Sequence, residues 1–239
     1  MVKILLLGDS LTEWNNSSIS WSINFAKIFT EFEIINKAVS GMDSNDIYSN
    51  IDSIIPLSEI KDIKLAIILV GTNDCLKSVD INMYKLNLMQ IIHHIYIIND
   101  DINLILITPP ICLINNINPY ANVVREISKN YDFIKLLDLH KGNIKLDESD
   151  IKNDKIHLNL MGNIKLLNNV KNLIKSNWSQ YLKNITIYNN NKIIDNNKII
   201  DNITIDNITI DNMATNIKNK EKKHKNIFNK TVKLSSTNK

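Results

Sequence analysis

Five short, mostly apolar runs constrain the fold of this chain of 239 residues more than any other feature of its sequence. A strand with one solvent-exposed face alternates apolar and polar residues. A nearly continuous apolar run is instead typical of a strand that is buried on both faces in a parallel sheet. The runs predict β-strands over Val2–Leu7, Ile34–Val39, Leu65–Val70, Leu104–Thr108 and Phe133–Leu137. We therefore expect a five-stranded parallel sheet.

The segments between these runs carry the spacing of amphipathic helices. Trp21, Phe25 and Ile28 recur at intervals of three and four residues, and the segment after Pro119 begins with a residue that suits a first helical turn. The same spacing predicts helices around residues 84–95 and 163–183. Strands that alternate with helices predict a doubly wound α/β fold, in which helices cover both faces of the sheet in a three-layer sandwich.

The composition changes near the end of this pattern, which predicts a catalytic domain over residues 1–183 and a tail over 184–239. The tail is rich in Asn, Ile and Lys and contains imperfect copies of a unit of five or six residues. The copies are too short and irregular for a solenoid, so we expect a disordered, low-complexity segment. Pairing of its Ile-Thr-Ile segments with an edge strand is the alternative.

Charge and cysteine content exclude several classes of protein. The net charge is +3, but residues 184–239 carry ten Lys and five acidic residues, which leaves 18 basic and 20 acidic residues elsewhere. A nearly neutral body argues against nucleic acid as a partner.

The two cysteines, Cys75 and Cys112, predict free thiols in a reducing compartment. Without a recognisable signal peptide or a long apolar span, we expect a cytoplasmic protein that does not insert stably into a membrane.

The segment Gly8-Asp9-Ser10-Leu11 follows the first apolar run directly. This position predicts a serine at the carboxyl edge of the sheet, where reactive groups of open α/β sheets collect. We expect a helix to begin there, so that its N–H groups point at the serine. Two further segments end a strand in the same way, and a third lies near the end of the folded part: Ser40-Gly41, Gly71-Thr72-Asn73-Asp74 and Asp154-Lys155-Ile156-His157.

Together these segments contain the groups that acyl transfer requires, namely a nucleophile, a base, a carboxylate that orients the base, and oxyanion donors. Asp154 precedes His157 by three residues, so a turn brings both side chains to the same side. His140, which follows the fifth predicted strand after Asp138, is the alternative base. For Asp74 we expect a structural role as a cap of the helix that follows it.

At these residues the chain resembles the SGNH hydrolases, also called the GDSL esterase/lipase family, over roughly residues 2–182. Finer details resemble the branch of isoamyl acetate-hydrolysing esterases. These details are Gly8-Asp9-Ser10-Leu11-Thr12-Glu13, Trp21, Asn36, Leu106-Ile107-Thr108-Pro109-Pro110, Tyr120-Ala121-Asn122, His157-Leu158-Asn159 and Gly162-Asn163. One departure is Lys155, at a position that is usually Gly in this branch.

The resemblance implies a flavodoxin-like sheet with strand order 2-1-3-4-5. It implies that Ser10 is the nucleophile, that Asp154 and His157 complete a triad, and that the N–H groups of Ser10 and Gly41 form an oxyanion hole with the Asn73 side chain. We accordingly expect a serine esterase that hydrolyses small or medium carboxylic esters, of the acetate-ester type, without a metal or a cofactor. Alternatives with the same residues are a lysophospholipase, a thioesterase and a carbohydrate deacetylase; an alternative of another class is a catalytically silent ligand-binding module.

Overall fold

A computed structural model describes residues 2–14, 19–142 and 145–188. Its centre is one sheet of five parallel strands in the order β2-β1-β3-β4-β5. The strands are β1 (Val2–Gly8), β2 (Phe32–Asn36), β3 (Ile63–Leu69), β4 (Asn103–Ile107) and β5 (Ile134–Leu137). The predicted fold class, and the strand order implied by the resemblance, are confirmed.

The second strand ends earlier than predicted, at Asn36 rather than Val39. The Asn36 side chain accepts a hydrogen bond from the Ala38 N–H at 2.9 Å and donates one to the Thr12 carbonyl at 2.8 Å. These bonds turn the chain, although the Val39 N–H still donates to the Gly8 carbonyl at the end of β1. An apolar run cannot reveal this boundary, because it depends on a contact with a distant turn.

Eight α-helices lie in the described residues, with a 3₁₀ helix at Glu148–Asp150. The four helices predicted from the apolar spacing are found, and four short helices are additional: three between β2 and β3 and one directly after β3. The bounds are α1 (Trp21–Ile28), α2 (Ser44–Ser49), α3 (Ile51–Ile54), α4 (Leu57–Ile60), α5 (Thr72–Leu76), α6 (Ile81–Ile98), α7 (Asn118–Lys129) and α8 (Leu160–Tyr188).

The direction of the strand order reverses at β1, and this reversal positions the site. Right-handed crossovers place α1 on one face of the sheet and the connections after β2 on the other. The second face forms the main core, in which Leu5 and Ile68 of the sheet pack with Leu88 of α6 and Val123 of α7. Because β2 and β3 flank β1, a crevice opens at the carboxyl ends of these strands, which is where ligands bind in such sheets.

The residues up to Ser179 form one compact unit, and a second unit begins at Gln180. The backbone of α8 departs from helical geometry at Trp178 (φ −130°, ψ 27°) and is helical again to Tyr188. The predicted domain boundary at 183/184 thus lies within α8, and residues 189–239 of the predicted tail lie outside the described residues. Among the described residues, no helix is long and apolar enough to cross a membrane.

Gly8 lies where β1 approaches β3 too closely for a side chain. A Cβ atom at this position would lie 2.5 Å from the Leu69 carbonyl oxygen, a backbone atom that moves only if the strands separate. We therefore expect Gly8→Ala to lower the free energy of unfolding in urea by about 1–3 kcal/mol. Gly142→Ala is the control, because a Cβ there meets nothing within 4 Å and φ is +75°. Gly142→Ala should lower the free energy of unfolding by about 1 kcal/mol, through backbone strain alone. If it lowered this free energy more than Gly8→Ala does, the close approach of the two strands would not be the reason for Gly8.

Candidate active site

Three predicted site residues form a continuous line of hydrogen bonds. The Ser10 Oγ atom lies 2.9 Å from Nε2 of His157, and Nδ1 of His157 lies 3.0 Å from Oδ2 of Asp154. With the ring proton on Nδ1 donated to Asp154, the lone pair of Nε2 faces the serine hydroxyl. Two segments that are far apart in sequence, the end of β1 and the loop before α8, thus meet at the carboxyl edge of the sheet.

A tight turn positions Asp154 and His157. Oδ1 of Asp154 accepts hydrogen bonds from the N–H groups of Ile156 and His157, both at 2.9 Å, and the His157 carbonyl accepts one from the Lys152 N–H at 2.7 Å. Partial burial acts to raise the pKa of Asp154, but the two backbone donors and the His157 ring outweigh it and hold the pKa below its ordinary value. The carboxylate is therefore charged at neutral pH and can stabilise an imidazolium.

Lys155 adopts the left-handed conformation that glycine prefers, with φ at +67°. This is the position at which the resemblance implies Gly. Its N–H donates to the Lys152 carbonyl at 2.9 Å, and its own carbonyl accepts the Leu113 N–H at 3.0 Å. The turn therefore forms with a lysine in place, at a strain of roughly 1–2 kcal/mol.

The Ser10 turn is held by Asp9. The Asp9 carbonyl accepts the N–H groups of Thr12 and Glu13, both at 2.9 Å, and its Oδ1 accepts the Leu11 N–H at 2.9 Å. The expectation of a helix directly after Ser10 is wrong, because these bonds close a single turn and α1 begins only at Trp21. The three N–H groups that follow Ser10 donate to Asp9, so within residues 2–14 no helix begins after Ser10.

Neighbouring elements tie this turn to the sheet. The Trp21 ring N–H donates to the Leu11 carbonyl at 2.8 Å, and Asn36 donates to the Thr12 carbonyl at 2.8 Å. Trp21 is completely buried. Both residues belong to the details that carry the resemblance, and their contacts explain why those residue types suit these positions.

The predicted oxyanion donors lie at the same edge. Gly41 is exposed and has φ at +79°, and a Cβ at this position would meet nothing within 4 Å. The Asn73 Nδ2 group donates to the carbonyl of Met42 at 2.9 Å and lies 3.4 Å from Oδ2 of Asp9. Asn73 therefore contacts one neighbour of Gly41 and one neighbour of Ser10.

Two buried carboxyl groups lie beneath the site, and the sequence alone did not predict their burial. Burial, together with the charge of Asp74, raises the pKa of Asp9 to about 7 although the Leu11 N–H opposes the shift. Burial and the charge of Asp43 raise the pKa of Asp74 to about 6 against the hydrogen bonds from Ser44. Neither burial has a local signal in the sequence, because Asp9 lies between Gly8 and Ser10 and Asp74 follows Asn73.

Asp74 does not cap its own helix, so the sequence-based expectation is wrong. It lies inside α5 and accepts hydrogen bonds from the Ser44 N–H at 3.1 Å and the Ser44 hydroxyl at 2.5 Å. Ser44 is the first residue of α2. The carboxylate thus satisfies a free N–H at the start of a different helix, one that follows the Gly41 turn.

The alternative catalytic groups are engaged elsewhere. Nε2 of His140 lies 2.7 Å from the Pro109 carbonyl oxygen, and both oxygens of Asp138 accept hydrogen bonds from Arg125 at 2.7 and 2.8 Å. Burial raises the pKa of the Cys75 thiol to about 11, so this group is not a thiolate at neutral pH. The described residues contain no group of three or more His, Cys, Asp or Glu side chains that could hold a metal ion.

Sequence comparison assigns a family to most of the chain. A sequence model of the GDSL-like lipase/acylhydrolase family matches residues 6–163, which is well over half of the chain. Among curated proteins, no sequence matches significantly.

Solved structures with the same fold include several esterases. A lipase/acylhydrolase from Enterococcus faecalis is 20% identical with a TM-score of 0.62, and the match covers 74% of this chain and 96% of that one. The acetyl xylan esterase AlAXEase is 19% identical with a TM-score of 0.60, covering 72% and 100%. The psychrotrophic esterase EstA from Pseudoalteromonas sp. is 19% identical with a TM-score of 0.58, covering 73% and 97%. At this level of identity the likeness shows a shared fold.

The strain at Lys155 leads to a first prediction for the site. Lys155→Gly should keep ester hydrolysis within about twofold of the unchanged protein and leave the free energy of unfolding nearly unchanged, because relief of strain offsets the added entropy of the unfolded chain. Lys155→Val should lower the free energy of unfolding by about 1–3 kcal/mol, since a β-branched residue tolerates φ above zero poorly. Urea denaturation of both variants tests this; equal stability of the two would contradict the strain.

The raised pKa of Asp74 predicts a pH-dependent stability. Between about pH 4 and pH 6 the unfolded chain releases this proton before the folded protein does, so stability falls as the pH rises. Relative to the unchanged protein, Asp74→Asn should therefore gain free energy of unfolding between pH 4 and pH 7. Asp138→Asn is a control of opposite sign: burial opposes the shift, but Arg125 holds the pKa of Asp138 below its ordinary value. The free energy of unfolding that Asp138→Asn loses relative to the unchanged protein should grow as the pH rises. If the free energies of unfolding of the two variants changed with pH in the same way, these assignments would be contradicted.

Proposed function

The chain belongs to the GDSL-like lipase/acylhydrolase family and is therefore a hydrolase of ester bonds, and we propose that it acts as a serine esterase on small and medium carboxylic esters, acetate esters among them. The observation that carries the proposal is the alignment of Ser10 Oγ, the His157 ring and the Asp154 carboxylate at 2.9 and 3.0 Å. A nucleophile, a base and an orienting carboxylate at these distances suit acyl transfer.

In the first half of the proposed reaction, Nε2 of His157 takes the hydroxyl proton of Ser10 as Oγ bonds to the ester carbonyl carbon. The ionised Asp154 carboxylate stabilises the resulting imidazolium and fixes its orientation. The tetrahedral intermediate then collapses as the bond to the alcohol oxygen breaks, and His157 gives its proton to the leaving alkoxide. The acyl group remains on Ser10.

In the second half, His157 takes a proton from water as the water oxygen attacks the acyl carbon. The bond to Oγ breaks, His157 returns the proton to Ser10, and the carboxylic acid leaves. In both halves the negative oxygen would accept hydrogen bonds from the N–H groups of Ser10 and Gly41 and from the Asn73 amide. Removal of one such donor typically costs about 3 kcal/mol of transition-state stabilisation.

A carbohydrate deacetylase is the second candidate, favoured by the openness of the site. The side chains of Asp154 and His157 are 46% and 36% exposed, so a bulky alcohol portion can lie outside the protein while its acetyl group reaches Ser10. The fold is shared with an acetyl xylan esterase. Parallel assays with acetylated xylan and with alkyl esters of graded acyl length separate the two activities.

We also propose that the protein works in a reducing compartment such as the cytoplasm. Cys75 and Cys112 are both buried and free. Buried free thiols are typical of proteins that are not exposed to oxidising conditions. The proposed partner is the small-molecule ester itself.

Replacement of Ser10 tests the proposed nucleophile. Ser10→Ala should lower kcat for a short-chain ester by on the order of a thousandfold or more, while the thermal unfolding midpoint stays near that of the unchanged protein. A fluorophosphonate probe should label the unchanged protein at Ser10 and fail to label Ser10→Ala. Hydrolysis by the purified variant would contradict the assignment. A lack of both labelling and hydrolysis in the unchanged protein would favour a silent binding module.

The two histidines provide a matched comparison for the base. His157→Ala should lower kcat about as much as Ser10→Ala, and the double variant should be no worse, because residues that act as one unit are not additive. His140→Ala should retain most activity, since the His140 ring contacts the Pro109 carbonyl rather than Ser10. The reverse ranking in a side-by-side assay would transfer the role of base to His140.

A further inference from the structure

One buried carboxyl group contacts both sides of the proposed oxyanion hole. Asp9 is 1% exposed. Its Oδ1 accepts the N–H of Leu11, the residue after Ser10, at 2.9 Å, and its Oδ2 lies 3.4 Å from Nδ2 of Asn73. The turn that carries the nucleophile and the helix that carries the side-chain donor are thus joined through a single side chain.

Apart from the hydrogen bond from the Leu11 N–H, which a neutral amide oxygen would also accept, the surroundings of Asp9 give no structural reason for an acid at this position. Burial of a carboxylate is costly unless a cation or several hydrogen bonds compensate. Within the described part of the chain, no Lys, Arg or His forms an ion pair with Asp9, and the ionisable groups that face it are Asp74 of α5 and Tyr84 of α6. Neither of these stabilises a negative charge.

The amide group of Asn73 contacts Asp9 and one other acceptor. Of the two hydrogens on Nδ2, one makes a bond of ordinary length to the Met42 carbonyl, at 2.9 Å. The other faces Asp9 across 3.4 Å, which is long for a hydrogen bond and therefore leaves this hydrogen weakly held. The Met42 bond anchors the carboxamide and the weaker Asp9 contact biases its plane, so the second hydrogen remains available to a stronger acceptor.

We propose that Asp9 is a positioning residue for ester hydrolysis, whose carboxyl group orients the Asn73 carboxamide relative to Ser10 and so determines how well Asn73 stabilises the oxyanion. The inference rests on the proposed esterase mechanism. Asp9 acts through Asn73, and it neither bonds to substrate nor transfers a proton in this scheme. Small displacements of such a donor are costly, because catalysis depends on groups that are already aimed at the developing charge.

A double-mutant cycle tests this role. Asp9→Asn keeps an acceptor for the Leu11 N–H but turns an NH₂ group towards Nδ2 of Asn73, donor against donor. In the unchanged background it should lower kcat about tenfold with KM within about twofold, as expected for a misaimed oxyanion donor. Asn73→Ala alone should lower kcat roughly 100-fold. In the Asn73→Ala background, Asp9→Asn should change kcat by less than about twofold, because nothing remains for it to position.

The same experiment separates failure of this inference from failure of the proposed function. If Asp9→Asn lowers kcat by the same factor with and without Asn73, or changes only KM, then Asp9 does not act through Asn73 and the inference is overturned. If the unchanged protein neither hydrolyses esters nor reacts with a fluorophosphonate at Ser10, the proposed function itself fails.

Asp74→Asn is the matched control. It removes another buried carboxyl group, one residue from Asn73, whose hydrogen bonds go to Ser44 instead. Its kcat should stay within about twofold, and an equal loss in both variants would show that any buried acid here matters and would overturn the specific role of Asp9. Thermal unfolding of each variant reports folding. If Asp9→Asn does not fold, Asp9→Ser replaces it in the cycle, because a serine hydroxyl also accepts a local N–H.

Discussion

Parallel pairing of β1 with both β2 and β3 is the interaction on which the site depends. Leu6 pairs with Asn36 on one side and with Ile67 on the other, so three strands end at one edge. The segments that follow them carry Ser10, Gly41 and Asn73. Because parallel strands point the same way, their carboxyl ends lie at one edge of the sheet, and the three segments meet there. The loop that carries His157 follows β5 and reaches the same edge of the sheet.

Hydrogen bonds then fix the Ser10 turn before any substrate binds. The side chains of Asp9, Trp21 and Asn36 form hydrogen bonds with the backbone of the residues that follow Ser10. Each bond contributes about 1 kcal/mol to stability. Trp21 is buried in the core, so hydrophobic packing holds the donor that fixes the Leu11 carbonyl. The burial that stabilises the domain therefore also keeps the turn around the proposed nucleophile rigid. Because this turn is already in place, it needs to rearrange little during the reaction.

The sequence reveals most of the fold and the members of the candidate site, because both depend on local patterns. Apolar runs identify buried strands wherever they lie, and Ser10, Asn73 and His157 occur at strand ends or in a recognisable loop. The errors concern contacts between distant segments. The end of β2 depends on the Asn36–Thr12 bond, the missing helix after Ser10 depends on Asp9, and the role of Asp74 depends on Ser44 in another helix. The burial of Asp9 has no local signature either, since its neighbours Gly8 and Ser10 suit a turn.

Three unfavourable features of the domain lie around the same edge. Lys155 adopts a left-handed backbone conformation between Asp154 and His157, and Asp9 and Asp74 are buried acids with raised pKa values. Each costs folding free energy, and a sequence selected for stability alone would replace them with glycine or with neutral residues. The large core formed by the sheet with α6 and α7 offsets these costs. Local strain that the rest of the fold sustains is expected where geometry serves chemistry, and here it marks the loop of the proposed base and the support of the proposed oxyanion donor.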